Sequence, residues 1–195
     1  MPNPEVIMQR SALFSCFMIA ASLLSPAQAD QAGSTSLAII SGFPSDFLGL
    51  EAGIDLNDNL GIRGGLGGIK LNDVKYQGSS GKIDTFGGFG FVDFYPMGGN
   101  FRMSAGTHVG NLDFELSDGT NTGTLSYNDL RPSISVGLTT RESMIVWFGD
   151  LGVTYMGKPD LNISGLTAAK QADARDVADK TEYMLMLRSG LGFRF

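Results

Sequence analysis

His108 is the only histidine in the chain, and histidine is the side chain that most often acts as a general base near neutral pH. A hydrolase that uses such a base also needs a nucleophilic hydroxyl within hydrogen-bonding distance of the ring. The nearest candidate, Ser104, lies four residues away, which is too far along an extended strand for a direct hydrogen bond. The sequence therefore predicts no catalytic residue and no enzyme.

Asp113, Glu115 and Asp118 could offer oxygen ligands to a divalent cation, but their spacing matches no metal-binding loop. The glycine clusters at 64–68 and 87–90 resemble phosphate loops only in composition, because no Lys-Ser/Thr pair leads from them into a helix. We predict a solvated acidic loop, no metal site and no cofactor.

A larger set of charged residues recurs at positions that alternate with apolar residues. Successive side chains of a β-strand point to opposite faces, so this pattern puts charges on one face and apolar groups on the other. We predict that the charges form an ion network on the inner face of a barrel, and the alternative is a gated pore through that network. The residues are Glu51, Asp55, Arg63, Asp93, Arg102, Asp150, Arg188 and Arg194.

These charges lie on eight segments in which polar and apolar residues alternate. The connections between successive segments are alternately short and long. Apolar-out, polar-in strands with short periplasmic turns and longer external loops are typical of outer-membrane barrels. The fold class is therefore predicted as all-β, a transmembrane antiparallel β-barrel of eight strands. The predicted strands are 34–42, 48–56, 60–67, 83–95, 101–116, 130–139, 143–155 and 183–195; the short turns are 57–59, 96–100 and 140–142, and the loops are 76–82, 117–123 and 158–182.

One strand changes its pattern halfway. Beyond Gly110 the apolar face of segment 101–116 swaps to Leu112, Phe114 and Leu116. A membrane strand needs only ~9–11 residues, so we expect this part to stand outside the bilayer. On segment 143–155, Trp147 and Tyr155 point outward and are separated by ~20 Å, which suits two interfacial girdles of aromatic residues.

The last strand has Leu, Tyr and Phe on one face and two arginines on the other. Its Arg188, Gly190, Phe193 and Phe195 form a polar-x-Gly-x-x-aromatic-x-aromatic pattern that resembles the C-terminal assembly signal of bacterial outer-membrane barrels. The resemblance implies that the barrel-assembly machinery is a partner.

A second resemblance rests on residues 93–106, in which Asp-Phe-Tyr-Pro leads into Gly-Gly-Asn-Phe-Arg-Met-Ser-Ala-Gly. This block is similar to a motif in a poorly characterised group of small bacterial outer-membrane proteins. The charged, alanine-rich segment before the last strand is also similar, and we predict a short surface helix at 166–180. The resemblance implies the fold and the location, and it implies no activity.

The first 29 residues have the features of a signal peptide. An apolar run from Ser11 to Leu24 precedes Ala27-Gln28-Ala29, a small-x-small site that predicts cleavage after Ala29. The mature domain is then 30–195, and it lacks cysteine because Cys16 is removed with the leader. The formal net charge of −6 argues against nucleic acid as a partner.

These observations predict a protein of the bacterial outer membrane, in contact with its lipid and lipopolysaccharide, with a structural or envelope role. The first alternative is a narrow channel for small solutes. The second is a lipid A-modifying enzyme that uses His108, although known lipid A deacylases have a His-x-Ser pair and this chain has His108-Val109-Gly110. The third is a surface adhesin that acts through external loops such as 117–123. The sequence does not predict the oligomeric state.

Overall fold

The computed structural model describes residues 33–76, 79–117, 121–127, 130–165, 175 and 181–195. The predicted signal peptide and nearly all of the predicted helix at 166–180 lie outside these residues. Within the described part of the chain, no helix is long and apolar enough to cross a membrane. The strands are β1 Thr35–Phe43, β2 Gly49–Asp55, β3 Leu60–Tyr76, β4 Ser79–Phe94, β5 Phe101–Ser117, β6 Thr122–Tyr127, β7 Arg131–Thr139, β8 Ile145–Tyr155, β9 Asp160–Ser164 and β10 Tyr183–Arg194.

Eight of these strands form a closed antiparallel barrel, which confirms the predicted fold class. The order around the wall is β1, β2, β3, β4, β5, β7, β8 and β10, and β10 pairs again with β1. The two remaining strands extend the wall: β6 pairs with the far half of β5, and β9 pairs with β6. The wall is therefore taller where β3, β4 and β5 continue upward beside β6 and β9 than along the other strands.

The barrel has two different ends. We call the end with the connections β2–β3, β4–β5 and β7–β8, together with the start of β1 and the end of β10, the turn end. The opposite end is the loop end. The loop predicted at 76–82 is wrong, since β3 continues to Tyr76 and β4 begins at Ser79. These polar residues pair as strands in a segment that lies beyond the apolar part of the wall.

The outer surface of the wall is apolar over most of its height. Ile134, Phe86 and Phe193 are each more than 60% exposed, and leucine, valine and isoleucine fill the positions between them. A continuous exposed apolar band of this size is typical of a surface that contacts lipid. On β8, Trp147 lies toward the turn end and Tyr155 toward the loop end, both on this outer face.

The polarity of both faces reverses at one level of the wall. The register pairs Lys70 with Asp84 and Asp84 with Asp113, and this row of charges faces outward. We call the part toward the turn end the lower barrel. The part from this row upward is called the upper sheet, and it comprises 70–76, 79–85, 111–117, 122–127 and 160–164.

In the upper sheet the outer face is polar and the inner face is apolar. Leu112 and Tyr127 are buried inside with Met156, and Phe114 and Leu125 pack against them. The pattern swap that the sequence shows beyond Gly110 therefore corresponds to an inner face that changes from charged to apolar. The polar outer residues of the upper sheet are Lys70, Lys82, Asp84, Asp113, Glu115, Thr124, Ser126, Asp160 and Asn162.

Candidate functional site in the barrel lumen

Arg63 occupies the centre of the lower barrel, where β3 directs it inward. Its Nη1 lies 3.2 Å from Glu51 Oε2 and 3.0 Å from Asp150 Oδ2, and its Nε lies 2.9 Å from Asp93 Oδ2. The guanidinium also donates to Ser104 Oγ at 3.2 Å. Carboxylates from three different strands thus share one buried cation, which compensates part of the penalty of removing charges from water.

Arg102 forms the second centre of the network. It binds Asp150 in the bidentate geometry, with Nε–Oδ1 at 3.0 Å and Nη2–Oδ2 at 2.8 Å. It also lies 3.6 Å from Asp93, so Asp93 and Asp150 each contact two arginines. The Phe148 ring lies 4.7 Å from the Arg102 guanidinium carbon, close enough for a cation–π contact.

Arg188, from β10, joins this network to the loop end. Its Nη2 donates to Glu51 Oε2 at 2.9 Å, and its Nε lies 2.8 Å from Asp46 Oδ2 without the alignment of a hydrogen bond. Asp46 belongs to the connection between β1 and β2, which folds into the barrel and is buried there. The sequence analysis did not select Asp46, because a carboxylate in a connection after a proline is expected to face solvent.

His108 is held by partners on both ring nitrogens. Nε2 lies 3.0 Å from Asp46 Oδ2, and Nδ1 lies 3.2 Å from Ser133 Oγ, which itself lies 2.8 Å from Thr154 Oγ1. The contacts with His108 and Arg188 compensate part of the cost of burying the Asp46 carboxylate.

A serine therefore does contact His108, although it is not the Ser104 that the sequence analysis considered. Ser133 reaches the ring because β5 pairs with β7 and both residues face inward. The inward position of Ser133 could be read from the sequence, whereas the pairing of the two strands could not. All three members of the Asp46–His108–Ser133 set are buried.

A separate group of charges closes the turn end. Arg141, in the β7–β8 connection, donates from Nη1 to Asp58 O at 2.6 Å and to Gly98 O at 3.0 Å. It lies 3.5 Å from Asp55 Oδ1, and Arg194 lies 3.3 Å from Asp55 Oδ2. Arg141 thus ties all three short connections together. The sequence analysis placed it in a tight turn and did not expect it to enter the lumen.

Seven of the eight charges selected from the sequence are buried, and Arg194 is nearly so. The structure brings Glu51, Arg63, Asp93, Arg102, Asp150 and Arg188 into one network, and it places Asp55 and Arg194 with Arg141 instead. Between the two groups is a cavity of about 20 Å³, which is room for about one water molecule.

The residues of the C-terminal pattern have distinct places on β10. Arg188 is in the lumen, and Phe193 and Phe195 are exposed on the outer face. Gly190 faces inward, where a Cβ atom would lie 2.5 Å from the Phe148 ring, so a glycine is required for packing. In the part of the chain that is described, no group of three His, Cys, Asp or Glu residues is placed to hold a metal ion.

Solved structures of small outer-membrane barrels are similar to this fold. Acinetobacter baumannii CarO matches with a TM-score of 0.66 and 22% identity, over 82% of this chain and 97% of CarO. CarO2 of the same species matches with a TM-score of 0.67 and 18% identity, over 85% of this chain and 100% of its own. Ail, the attachment invasion locus protein of Yersinia pestis, matches with a TM-score of 0.52 and 11% identity, over 84% and 99%.

No protein-family model and no curated protein matches the sequence. At these identities the likeness to solved structures concerns the fold alone. The chain therefore has the eight-stranded barrel fold that is seen in small outer-membrane proteins.

Proposed function

We propose that this chain is a bacterial outer-membrane barrel with a closed lumen and a structural role in the envelope. The observation that carries the proposal is the ion network across the lower barrel, which has a cavity of about 20 Å³ beside it. An eight-stranded barrel is just wide enough to be filled by its own side chains. The network therefore acts as a core and not as the lining of a pore.

The same proposal gives the chain an orientation and its partners. The turn end faces the periplasm and the upper sheet stands outside, because short turns are periplasmic in such barrels. Residues 1–29 are removed on export, the last strand is read by the barrel-assembly machinery, and lipid and lipopolysaccharide surround the apolar band. The polarity change at the Lys70–Asp84 row supports this placement of the outer membrane surface.

Conductance in a planar lipid bilayer tests the proposal. The refolded wild-type barrel is expected to give no conductance steps. Arg63→Ala removes the cation that three carboxylates share, and it is expected to admit water and give small conductance steps. Lys70→Ala, which removes an exposed cation, is the matched control and should be silent. Wild-type steps as large as those of Arg63→Ala would contradict a closed lumen and favour the channel alternative.

A second candidate function is binding at the cell surface, and it is favoured by the upper sheet. All five of its strands carry polar side chains on the outer face, among them Thr124, Ser126 and Asn162. Cells that display the protein should adhere to a surface more than cells that lack it, and Thr124→Lys with Asn162→Lys should reduce the difference. Equal adhesion of all three strains would rule this function out.

We propose no catalytic role for His108, because His108 and Ser133 are both buried away from any substrate and Ser133 Oγ also contacts Thr154 Oγ1. The lipid A profile of cells that express His108→Ala should equal that of wild-type cells. A loss of one modified species in the variant would establish the enzyme alternative.

A further inference from the structure

Arg131 differs from the other arginines of the lumen. It is the first residue of β7, its side chain points into the barrel, and it is only 1% exposed. Its Nη1 donates to Gly110 O at 3.0 Å and to Tyr127 O at 3.1 Å. Its Nε is buried and has no hydrogen-bond partner.

The other buried arginines, Arg63, Arg102, Arg141 and Arg188, each lie within 4.0 Å of at least one carboxylate. Arg131 has no such neighbour among the residues that the structure describes. A buried cation without an anion is strongly unfavourable, and two carbonyl oxygens replace only part of the hydration that it loses.

The described part of the lumen also has more arginines than carboxylates. Five buried carboxylates face six inward arginines there, when Arg194 is included. The charges are Asp46, Glu51, Asp55, Asp93 and Asp150 against Arg63, Arg102, Arg131, Arg141, Arg188 and Arg194. One further negative charge, placed at Arg131, would balance the described part of the interior.

The surroundings of Arg131 are apolar. Tyr127, whose carbonyl it contacts, is packed with Leu112 and Met156, and Phe114 and Leu125 continue this apolar surface along the inner face of the upper sheet. Farther up the same face, Leu116 is more than half exposed. A free inorganic anion would gain nothing from such walls, whereas an apolar chain would bury surface against them.

We propose that the loop-end interior binds an amphipathic monoanion, a long-chain carboxylate of the fatty-acid class. The carboxylate pairs with Arg131, and the hydrocarbon chain lies along Phe114, Leu125 and Leu116, which the apolar cluster around Leu112 leaves partly uncovered. This site is independent of whether the lumen conducts. It gives the buried cation a carboxylate within ion-pair distance, which the described residues do not supply, and the ligand covers the exposed part of the apolar inner face of the upper sheet.

The test uses the refolded full barrel in a neutral maltoside detergent, with folding checked by heat-modifiable mobility on a gel. Dodecanoate is the probe, dodecanol the uncharged control and acetate the control without a chain. Dodecanoate is expected to raise the Tm of the wild-type barrel, and dodecanol and acetate to leave it within error. Equal shifts with dodecanoate and dodecanol would overturn the proposal without any variant.

Variants then locate the site. Arg131→Met keeps the volume and removes the charge, and it should weaken dodecanoate binding at least tenfold by calorimetry. Arg131→Lys should keep part of the affinity, and Lys70→Ala, which removes a cation from the outer face, should keep all of it. Unchanged affinity in Arg131→Met would overturn the proposal. If Arg131→Met does not fold, wild-type affinity in Arg131→Lys would overturn it, because a bidentate contact is lost there.

Discussion

The lower barrel and the upper sheet are built from the same strands with opposite polarity. On β4, Phe94, Val92 and Phe86 face outward in the lower barrel, and Asp84 and Lys82 take their place in the upper sheet. On the inner face of β5 the order is reversed, from Arg102 and His108 to Leu112 and Phe114. Strand alternation is thus common to both levels, and what changes is the medium on each side of the wall.

The comparison also separates ion pairs whose loss should strongly destabilise the fold from ion pairs that contribute little to its stability. In the lower barrel Asp150 is buried between two arginines, so neither partner can return to water if the other is lost. In the upper sheet the pairs Lys70–Asp84 and Lys82–Glu115 are exposed, at 2.6 and 2.9 Å. Exposed pairs of this kind typically contribute less than ~1 kcal/mol.

The largest effect is expected for Asp150→Asn. It leaves Arg63 and Arg102 short of a shared carboxylate, and breaking a buried pair in this way typically costs about 3–5 kcal/mol. Urea unfolding of the barrel in lipid vesicles measures the loss, with the fluorescence of Trp147, the single tryptophan, as the signal. If Asp150→Asn lowers the free energy of unfolding no more than Asp84→Asn does, the ion pairs of the lower barrel and of the upper sheet contribute equally to stability.

The second-largest effect is expected for Leu112→Ala, which should lower the free energy of unfolding by about 3 kcal/mol. The side chain is fully buried in the apolar cluster of the upper sheet, and its truncation leaves a cavity. Val109→Ala, on the exposed outer face of the same strand, is the control and should lose much less in the same unfolding assay. Similar losses for the two variants would mean that the inner face of the upper sheet is not a packed core.

Val92→Arg tests whether the outer face of the lower barrel contacts lipid. An arginine within the apolar band is expected to lower the free energy of unfolding by about 2–3 kcal/mol, whereas Asp84→Arg, at the proposed boundary, should change it by less than ~1 kcal/mol. The difference should disappear when the barrel is studied in a loosely packed detergent micelle. If both substitutions cost the same in vesicles, the boundary does not lie at the Lys70–Asp84 row.

Lys70→Ala should have the smallest effect, with an unfolding midpoint in urea equal to that of wild type within error, because its pair with Asp84 is exposed. The hydrogen bond to Asp84 raises the pKa of Lys70, so the pair is expected to persist to alkaline pH. Equal unfolding midpoints of wild type and Lys70→Ala at low and high salt would support a small contribution from the pair. A clearly lower midpoint of the variant at low salt would contradict it.

Much of the fold could be predicted from the sequence because side-chain alternation is a local property. The faces of Arg63, Arg102 and Arg188 follow from the residues beside them, and so does the swap at Gly110. The number of barrel strands follows from counting such segments. The far ends of β3 and β4 could not be predicted in this way, because a polar strand outside lipid and a polar loop have similar compositions.

The site was harder to predict, since the residues that complete it come from connections. Asp46 and Arg141 enter the lumen because the β1–β2 and β7–β8 connections fold inward, and nothing in their neighbours marks this. The partner of His108 was missed because Ser133 reaches it across a strand pairing. Contacts between strands depend on register and neighbour order, which a single sequence shows only weakly.

The pairing of β1 with β10 has a consequence for the order of folding. Ser36 lies opposite Arg194, and Thr35 and Phe195 exchange two backbone hydrogen bonds of 2.9 Å. This contact joins almost the two most distant parts of the described chain, so its loop-closure entropy is the largest in the molecule. Until it forms, β1 and β10 are both open edges, and an open edge is not tolerated in lipid. Closing the barrel and entering the membrane must therefore be one concerted step.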